Sequence, residues 1–185
     1  MNVDRFTPEG PASDRINHDG PSILFVGRLV PGKRPMDAVR TISRLPDDLN
    51  ARLYVVGDGP LQQKLAKQAT DAPVELLGHV PYDEMPTIYR ASDLLFLTSR
   101  VEGMPRAVLE AFPTGTPVVS SDLEQIASTV ERGGEAVDAS EYETALQRVL
   151  EKRDQLGSKA REVARDEFRW CDTVSETTDV LTRLV

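Results

Sequence analysis

Two glutamates with seven residues between them, Glu102 and Glu110 in "EGMPRAVLE", frame the part of this chain richest in residues able to do chemistry. Pro105 suits the first turn of a helix, where its missing N–H is not needed, and Val108, Leu109, Ala111 and Phe112 give that helix a buried side. Glu102 then stands in the loop at the helix mouth. Eight residues at about 1.5 Å rise separate the two carboxylates by on the order of 12 Å, too far for a pair working on one glycosidic bond at about 5 Å. The spacing suits carboxylates that accept hydrogen bonds from hydroxyls at opposite ends of an extended ligand, with an anionic group between them.

Cations for such an anion occur upstream. "GRLVPGKRP" (Gly27 to Pro35) puts Arg28 and Lys33 on one short loop ahead of a helix N-terminus. A forked guanidinium, a point-charge ammonium and free backbone N–H groups make a diphosphate clamp; the competing reading is a solvated basic loop. The G-x-x-x-x-G-K-[ST] spacing of a Walker loop is absent. "VGDGP" (Val56 to Pro60) is a tight strand-to-helix turn and no dinucleotide fingerprint, because the third glycine would fall on Gln62.

The elements that must position these residues are legible as apolar runs closed by turn residues. "ILFVG" (Ile23 to Gly27), "LYVVG" (Leu53 to Gly57), "VELLG" (Val74 to Gly78) and "DLLFL" (Asp93 to Leu97) read as strands buried on both faces, and "VVS" (Val118 to Ser120) as a further core strand. Pro113, Gly115 and Pro117 end the helix that precedes the last of them. Helical periods lie between the strands over Pro35 to Leu45, Pro60 to Thr70 and Asp83 to Ala91, and after them over Leu123 to Val130, Tyr142 to Glu151, Leu156 to Phe168 and Thr173 to Leu184. The alternation predicts an α/β, Rossmann-like, doubly wound parallel sheet of about five or six strands, with ligands at the strands' carboxyl ends. Residues Met1 to Gly20 are polar, hold Pro8, Gly10, Pro11 and Gly20, and read as an interdomain linker or arm; residues 21–168 form the ligand-binding domain.

Composition excludes several classes. The formal net charge of -8, with no basic cluster, argues against a nucleic-acid surface. Five lysines stand against seventeen arginines amid abundant aspartate, a balance that resembles proteins of high-salt cytoplasm or simply an acidic, soluble surface. No segment reaches the roughly 20 apolar residues of a membrane span and no apolar signal region opens the chain, so a cytoplasmic protein is expected. The single cysteine, Cys171, has no partner for a disulfide or a metal site, and no metal is expected.

The motifs also carry a resemblance. "EGMPRAVLE" is similar to the E-x7-E motif of the retaining glycosyltransferases of family four, which have the GT-B architecture of two Rossmann-like domains facing across a cleft. "FVGRLVPGK", "LYVVGDGPL", "VELLGHVPYDEMPTIYRASDLLFLTS" and "EAFPTGTPVVSSD" each resemble, in order, the C-terminal, donor-binding domain of that family. "NVDRFTP" (Asn2 to Pro8) resembles the linker leaving the N-terminal domain, and the helix within Arg169 to Val185 the one that crosses back to it. By this resemblance the donor substrate is a nucleotide diphosphate sugar, bound without metal or other cofactor. Arg28 and Lys33 would hold the diphosphate and stabilise the leaving group, with Gly27 opening the same loop. Glu102 would hold the sugar hydroxyls and complete the catalytic set, Glu110 the ribose hydroxyls, and the Gly103 and Met104 amides would lie near phosphate or sugar. The competing reading of Glu110 is a buried helix residue paired with an arginine such as Arg106, four positions before it. The backbone around Gly78 to Val80, including His79 and Val80, would receive the base, with the His79 ring left to solvent.

The facing N-terminal domain would be the main partner; it would carry the site for an acceptor of unknown identity and any peripheral membrane contact, and the chain alone would be inactive. Two segments depart from the family, which has a Gly-Gly-containing segment after "SSD" where this chain reads "LEQIAS" (Leu123 to Ser128), and a longer connection to the next helix than "ERGGEAVDASEYETAL" (Glu131 to Leu146). Two alternatives accompany the resemblance: a GT-B sugar-nucleotide 2-epimerase domain, and a noncatalytic interaction module that keeps only the fold.

Overall fold

A computed structural model of the chain describes residues 5–103 and 105–167. Among the described residues six strands are formed: β1 (Ser22–Val26), β2 (Arg52–Val56), β3 (Val74–Gly78), β4 (Leu94–Leu97), β5 (Val118–Ser121) and β6 (Gly134–Val137). They pair in the order β3-β2-β1-β4-β5-β6, every pair parallel. This is a doubly wound sheet whose strand order reverses between β1 and β4, the place where ligands collect in such folds.

Side chains alternate between two cores. On one face Leu24, Tyr54, Leu95, Leu97 and Val118 pack with Ile88, Val108, Phe112, Ile126 and Ala160. On the other, Ile23, Phe25, Leu53, Val55, Phe96 and Val119 pack with Val39, Ile42, Leu65, Leu146 and Val149. The covering helices are α1 (Pro35–Ile42), α2 (Gln62–Ala69), α3 (Met85–Arg90), α4 (Arg106–Thr114), α5 (Ala127–Val130), α6 (Tyr142–Glu151) and α7 (Arg153–Glu167). Burial on both faces is why the strands read as continuous apolar runs.

Three local outcomes differ from the sequence expectation. The strand β6 was not located there: it is a four-residue edge strand of "GEAV", mostly half-buried, so it lacks an apolar run. The expected helix from Leu123 shrinks to α5, because Leu123 to Ile126 close a turn through Ile126 N–H to Leu123 O (2.9 Å) and bury Ile126. Pro113 does not end α4; it sits inside the helix, which runs one residue further and closes on Gly115 in the left-handed region (φ 79°).

The segment 5–20 lies along α3 and carries core residues of its own. Phe6 is fully buried and Ile16 nearly so, while Arg90 donates to the carbonyls of Thr7 and Pro11 (3.1 and 2.8 Å). Cys171 and the expected helix Thr173 to Leu184 lie outside the described residues.

The α7 helix docks where side chains are absent. A Cβ at Gly157 would stand 2.1 Å from the Gly115 carbonyl oxygen, and one at Gly133 would stand 2.5 Å from the Cβ of Ala160. Gly157→Ala is therefore expected to push α7 away from α4 and to lower stability by about 1–3 kcal/mol, read as a fall in thermal midpoint. An unchanged midpoint would show that the two helices separate without cost.

Candidate functional site

The carboxyl ends of β1 and β2 are tied by backbone alone. Gly27 N–H donates to Val56 O (3.0 Å), Leu29 N–H to Asp58 O (2.6 Å) and Leu61 N–H to Leu29 O (3.0 Å). Gly57 has φ 131°, and a Cβ there would stand 2.0 Å from the Gly27 carbonyl oxygen, so only glycine allows the two chains to come this close. "VGDGP" is thus a turn, as its spacing indicated, but also the bed on which the Arg28 loop lies.

The other end of that loop is fixed across the switch point. The buried Thr98, just after β4, donates its hydroxyl to the carbonyls of Lys33 and Arg34 (3.0 and 2.8 Å), and Arg100 N–H donates to Gly32 O (2.9 Å). Arg34 is held with φ 51°, an unfavourable conformation for a side-chain-bearing residue, and it directs the chain into Pro35 at the start of α1. Lys33 Nζ is paired with Glu102 Oε1, which also accepts a hydrogen bond from the Ser99 hydroxyl (2.6 Å). The Glu102 side chain is only 9% exposed. Among the described residues its Oε2 accepts no hydrogen bond, and the exposed Arg28 side chain has neither hydrogen bond nor ion pair.

Glu110 lies one helical stretch away on α4, with its side chain 6% exposed. Its Oε1 pairs with Arg106 Nε at 3.0 Å, one turn earlier on the same helix, and its Oε2 accepts the hydroxyl of the fully buried Tyr89 from α3, also at 3.0 Å. Burial raises the Glu110 pKa above the ordinary carboxylate range, with the Tyr89 and Arg106 hydrogen bonds opposing it. The same burial, together with the carboxylate, pushes the Tyr89 hydroxyl well up, so Tyr89 is a neutral donor.

These groups share one open cleft of about 670 Å³ at the carboxyl ends of the first four strands. Of the residues singled out from sequence, Gly27, Arg28, Lys33, His79, Val80, Glu102 and Glu110 all line it. Gly103 is beside it, with nothing within 4 Å of where a Cβ would be, and Met104 lies outside the described residues. Asp58, Tyr82, Met85, Pro105, Arg106 and Ala107 complete much of the wall; none was named individually as a ligand contact from sequence, although Asp58, Tyr82 and Pro105 lie in loops at the strands' carboxyl ends. Tyr82 and Arg106 had one detectable signal, a lone exposed aromatic and a cation four residues before a glutamate; Tyr89, reached only through folding, had none. Among the described residues no group of three or more His, Cys, Asp or Glu side chains is placed to hold a metal ion, and no helix is long and apolar enough to cross a membrane.

A cleft of this shape, with cations from the first loop and carboxylates from the fourth, fits an extended anionic ligand bearing hydroxyls. Residues 7–166 match the family model described as "Glycosyl transferases group 1". The chain belongs to this family. The group 1 domain is 32% identical over 94% of its length to the D-inositol 3-phosphate glycosyltransferase of Geodermatophilus obscurus, of which it spans 44%. It is 28% identical over 81% of its length to the sulfoquinovosyl transferase SQD2 of Arabidopsis thaliana, spanning 31% of that protein. The chain therefore covers less than half of the curated relatives it matches.

Solved structures agree in fold. The domain superposes on sucrose-phosphate synthase from Thermosynechococcus elongatus with a TM-score of 0.83 at 22% identity, covering all of this chain and 51% of that one. On Anabaena HepE in complex with UDP-glucose the TM-score is 0.82 at 19% identity, with 99% and 56% covered. The Rossmann-like α/β fold of the group 1 domain is thus that of GT-B glycosyltransferase structures.

The raised pKa of Glu110 has a stability consequence. A carboxyl that holds its proton more tightly when folded contributes stability that is complete below its unfolded pKa and is lost as pH rises through the folded value. Glutamine at this position does not titrate. The stability of wild type relative to Glu110→Gln is expected to fall as pH rises from the ordinary glutamate range through that raised value, and on its alkaline side the variant should be at least as stable. Thermal unfolding on both sides of the value checks this; a variant clearly weaker on the alkaline side would show that the Arg106 and Tyr89 contacts outweigh the burial of the charge.

Proposed function

We propose that this chain is the donor-binding half of a retaining glycosyltransferase, taking a nucleotide diphosphate sugar and passing the sugar to an acceptor held by a facing N-terminal domain. The observation that carries the reading is the meeting of Arg28, Lys33, Glu102 and Glu110 around one cleft at the sheet's switch point, in a chain of the group 1 family. Arg28 is free to take a phosphate oxygen, and Lys33 can exchange Glu102 for another. As the bond from sugar to diphosphate breaks, negative charge grows on the diphosphate, and two fixed cations stabilise it without a metal ion. Glu110, with both oxygens already oriented, accepts the ribose hydroxyls; Glu102, through the Oε2 that has no hydrogen bond among the described residues, accepts those of the sugar. The segment from Gly78 to Val80 forms the base end, with the exposed His79 ring in solvent.

UDP is the nucleotide we favour, because HepE, which shares the fold, is seen with UDP-glucose. Two relatives, named a D-inositol 3-phosphate glycosyltransferase and a 2-deoxystreptamine glucosyltransferase, differ in the acceptor their names give, so on this reading the acceptor follows from the other half of the enzyme, as would any contact with a membrane. The chain by itself is then inactive in transfer, and a cytoplasmic location, where nucleotide sugars are made, fits this role. A second reading, a noncatalytic module, draws on one feature: Leu123 to Ile126 form a packed turn with a buried side chain where the family offers glycine backbone to the sugar.

Titration calorimetry in the presence of a chelator tests both. UDP and UDP-glucose should bind, more weakly at high salt, and magnesium should add nothing. Glu110→Ala should weaken both ligands, whereas Glu102→Ala should weaken only UDP-glucose. Each loss should be roughly tenfold to a hundredfold, from about 1.5 to 3 kcal/mol for a charge-assisted hydrogen bond. Binding that appears only with magnesium would remove the two-cation clamp, and no binding of either ligand would favour the noncatalytic module.

A further inference from the structure

Glu110 belongs to a closed ring of side chains that reaches back to the N-terminal arm. Its Oε1 meets Arg106; the Arg106 guanidinium lies over the Tyr82 ring, 4.5 Å from its centroid; Tyr82 and Phe6 have ring centroids 5.6 Å apart. Phe6 packs edge-on to Tyr89 at 5.9 Å, and the Tyr89 hydroxyl returns to Glu110 Oε2. The Arg5 guanidinium also lies over Tyr82, at 4.8 Å. Phe6 is fully buried, although it comes from the arm and from no helix or strand of the sheet layers.

The ring answers a physical problem. An arginine whose side chain is 68% exposed, paired along a helix to a carboxylate, ordinarily contributes little, because it has many rotamers and water competes for it. Here the carboxylate is almost buried, and the Tyr82 ring beneath the guanidinium restricts it to positions from which its Nε reaches Oε1. We propose that Arg106 is a positioning residue for Glu110, held in place by Tyr82 and, behind it, by Phe6 of the arm. Its task is to keep the carboxylate ionised and aimed, so that it can accept both hydroxyls of a ribose. The inference rests on the reading of Glu110 as the ribose acceptor.

Charge relations around Glu110 support this. Arg106 faces it from its own helix and Tyr89 from α3; Tyr82, Arg28, Lys33, His79, Asp58 and Glu102 line the same cleft. Burial raises the proton affinity of Glu110, while Tyr89 and Arg106 are the two groups that lower it. Tyr89 does so as a neutral donor, so Arg106 supplies the only positive charge in direct contact with Glu110 among the described residues. Without it a larger share of Glu110 would be protonated at neutral pH, and a carboxylic acid receives a diol less well than a carboxylate.

Two readouts on the 185-residue chain test the proposal. The first is the titration midpoint of Glu110, followed by carbon NMR of its side-chain carboxyl in wild type, Arg106→Met, Arg106→Lys, Tyr82→Leu and Phe6→Leu. The midpoint should rise in Arg106→Met, return part of the way in Arg106→Lys, and rise in Tyr82→Leu, where the guanidinium loses its platform; Phe6→Leu should follow Tyr82→Leu in smaller measure. The second is the ratio of affinities for UDP and 2′-deoxy-UDP, with inorganic pyrophosphate as control. That ratio should fall roughly tenfold in Arg106→Met, the size of one lost hydrogen-bond preference, while pyrophosphate affinity stays as in wild type. An unchanged midpoint in Arg106→Met overturns the proposal, and so does an unchanged ratio. If wild type binds no UDP, the donor-binding reading fails by itself, and the midpoints still decide whether Arg106 governs the ionisation of Glu110. Arg106 and Tyr82 are partly exposed, so their variants should keep the fold; if Phe6→Leu unfolds, the Tyr82 variant carries the same question.

Discussion

The approach of Gly57 to the carbonyl of Gly27 is the constraint from which the site is built. With no side chain at 57, the ends of the first two strands join through backbone hydrogen bonds, and the loop carrying Arg28 is laid on the turn that follows β2. Thr98 then fixes the far end of that loop from across the switch point. The cations stand at known places because main chain, which has few alternatives, holds both ends of the loop between them. Main-chain contacts of this kind tolerate substitution nearly everywhere except at the glycine itself.

On this frame two of the cleft's cations are arranged in partnerships with carboxylates. Lys33 rests against Glu102 and Arg106 against Glu110, each carboxylate nearly buried and each cation more exposed than its partner. Burying a carboxylate without a partner would be costly, and the paired cations offset that cost while leaving acceptor capacity on the carboxylate oxygens. The arrangement is a preorganised set of acceptors and donors, and the raised proton affinity of Glu110 marks the residual strain of keeping one of them out of water.

Much of the fold was legible in the sequence because central parallel strands must be apolar on both faces. Ile23 to Val26, Leu53 to Val56 and Leu94 to Leu97 announce themselves as runs. The strand Gly134–Val137 does not, since an edge strand covered on fewer sides can contain Glu135 and start at a glycine. The site was legible where a motif lies within one loop or one helix: Arg28 with Lys33, Glu102 with Glu110, and even the Arg106 to Glu110 pair, which was visible as an i, i+4 spacing. It was illegible where partners meet only in space. Tyr89 is twenty-one residues from Glu110 in the chain, and Phe6 is a single aromatic in a polar stretch rich in glycine and proline, with no period to betray that it is buried.

Arg28 and Lys33 differ in one respect that alters how the pair operates. Arg28 stands exposed and, among the described residues, unpaired, whereas Lys33 is paired with Glu102. If the cleft takes the nucleotide diphosphate sugar proposed above, the incoming anion would meet Arg28 first, and Lys33 would join only by leaving Glu102. The proposed clamp would then be a sequence of events, capture followed by exchange. The exchange would leave Glu102 with the Ser99 hydroxyl as its remaining described donor, and a carboxylate so placed beside an anion repels it unless a further hydrogen-bond donor reaches it. An anion that brings hydroxyls on its far end supplies one; a bare phosphate does not. On the proposed function, the contact between Lys33 and Glu102 would then act as a checkpoint, admitting an anion fully only when the rest of the molecule comes with it.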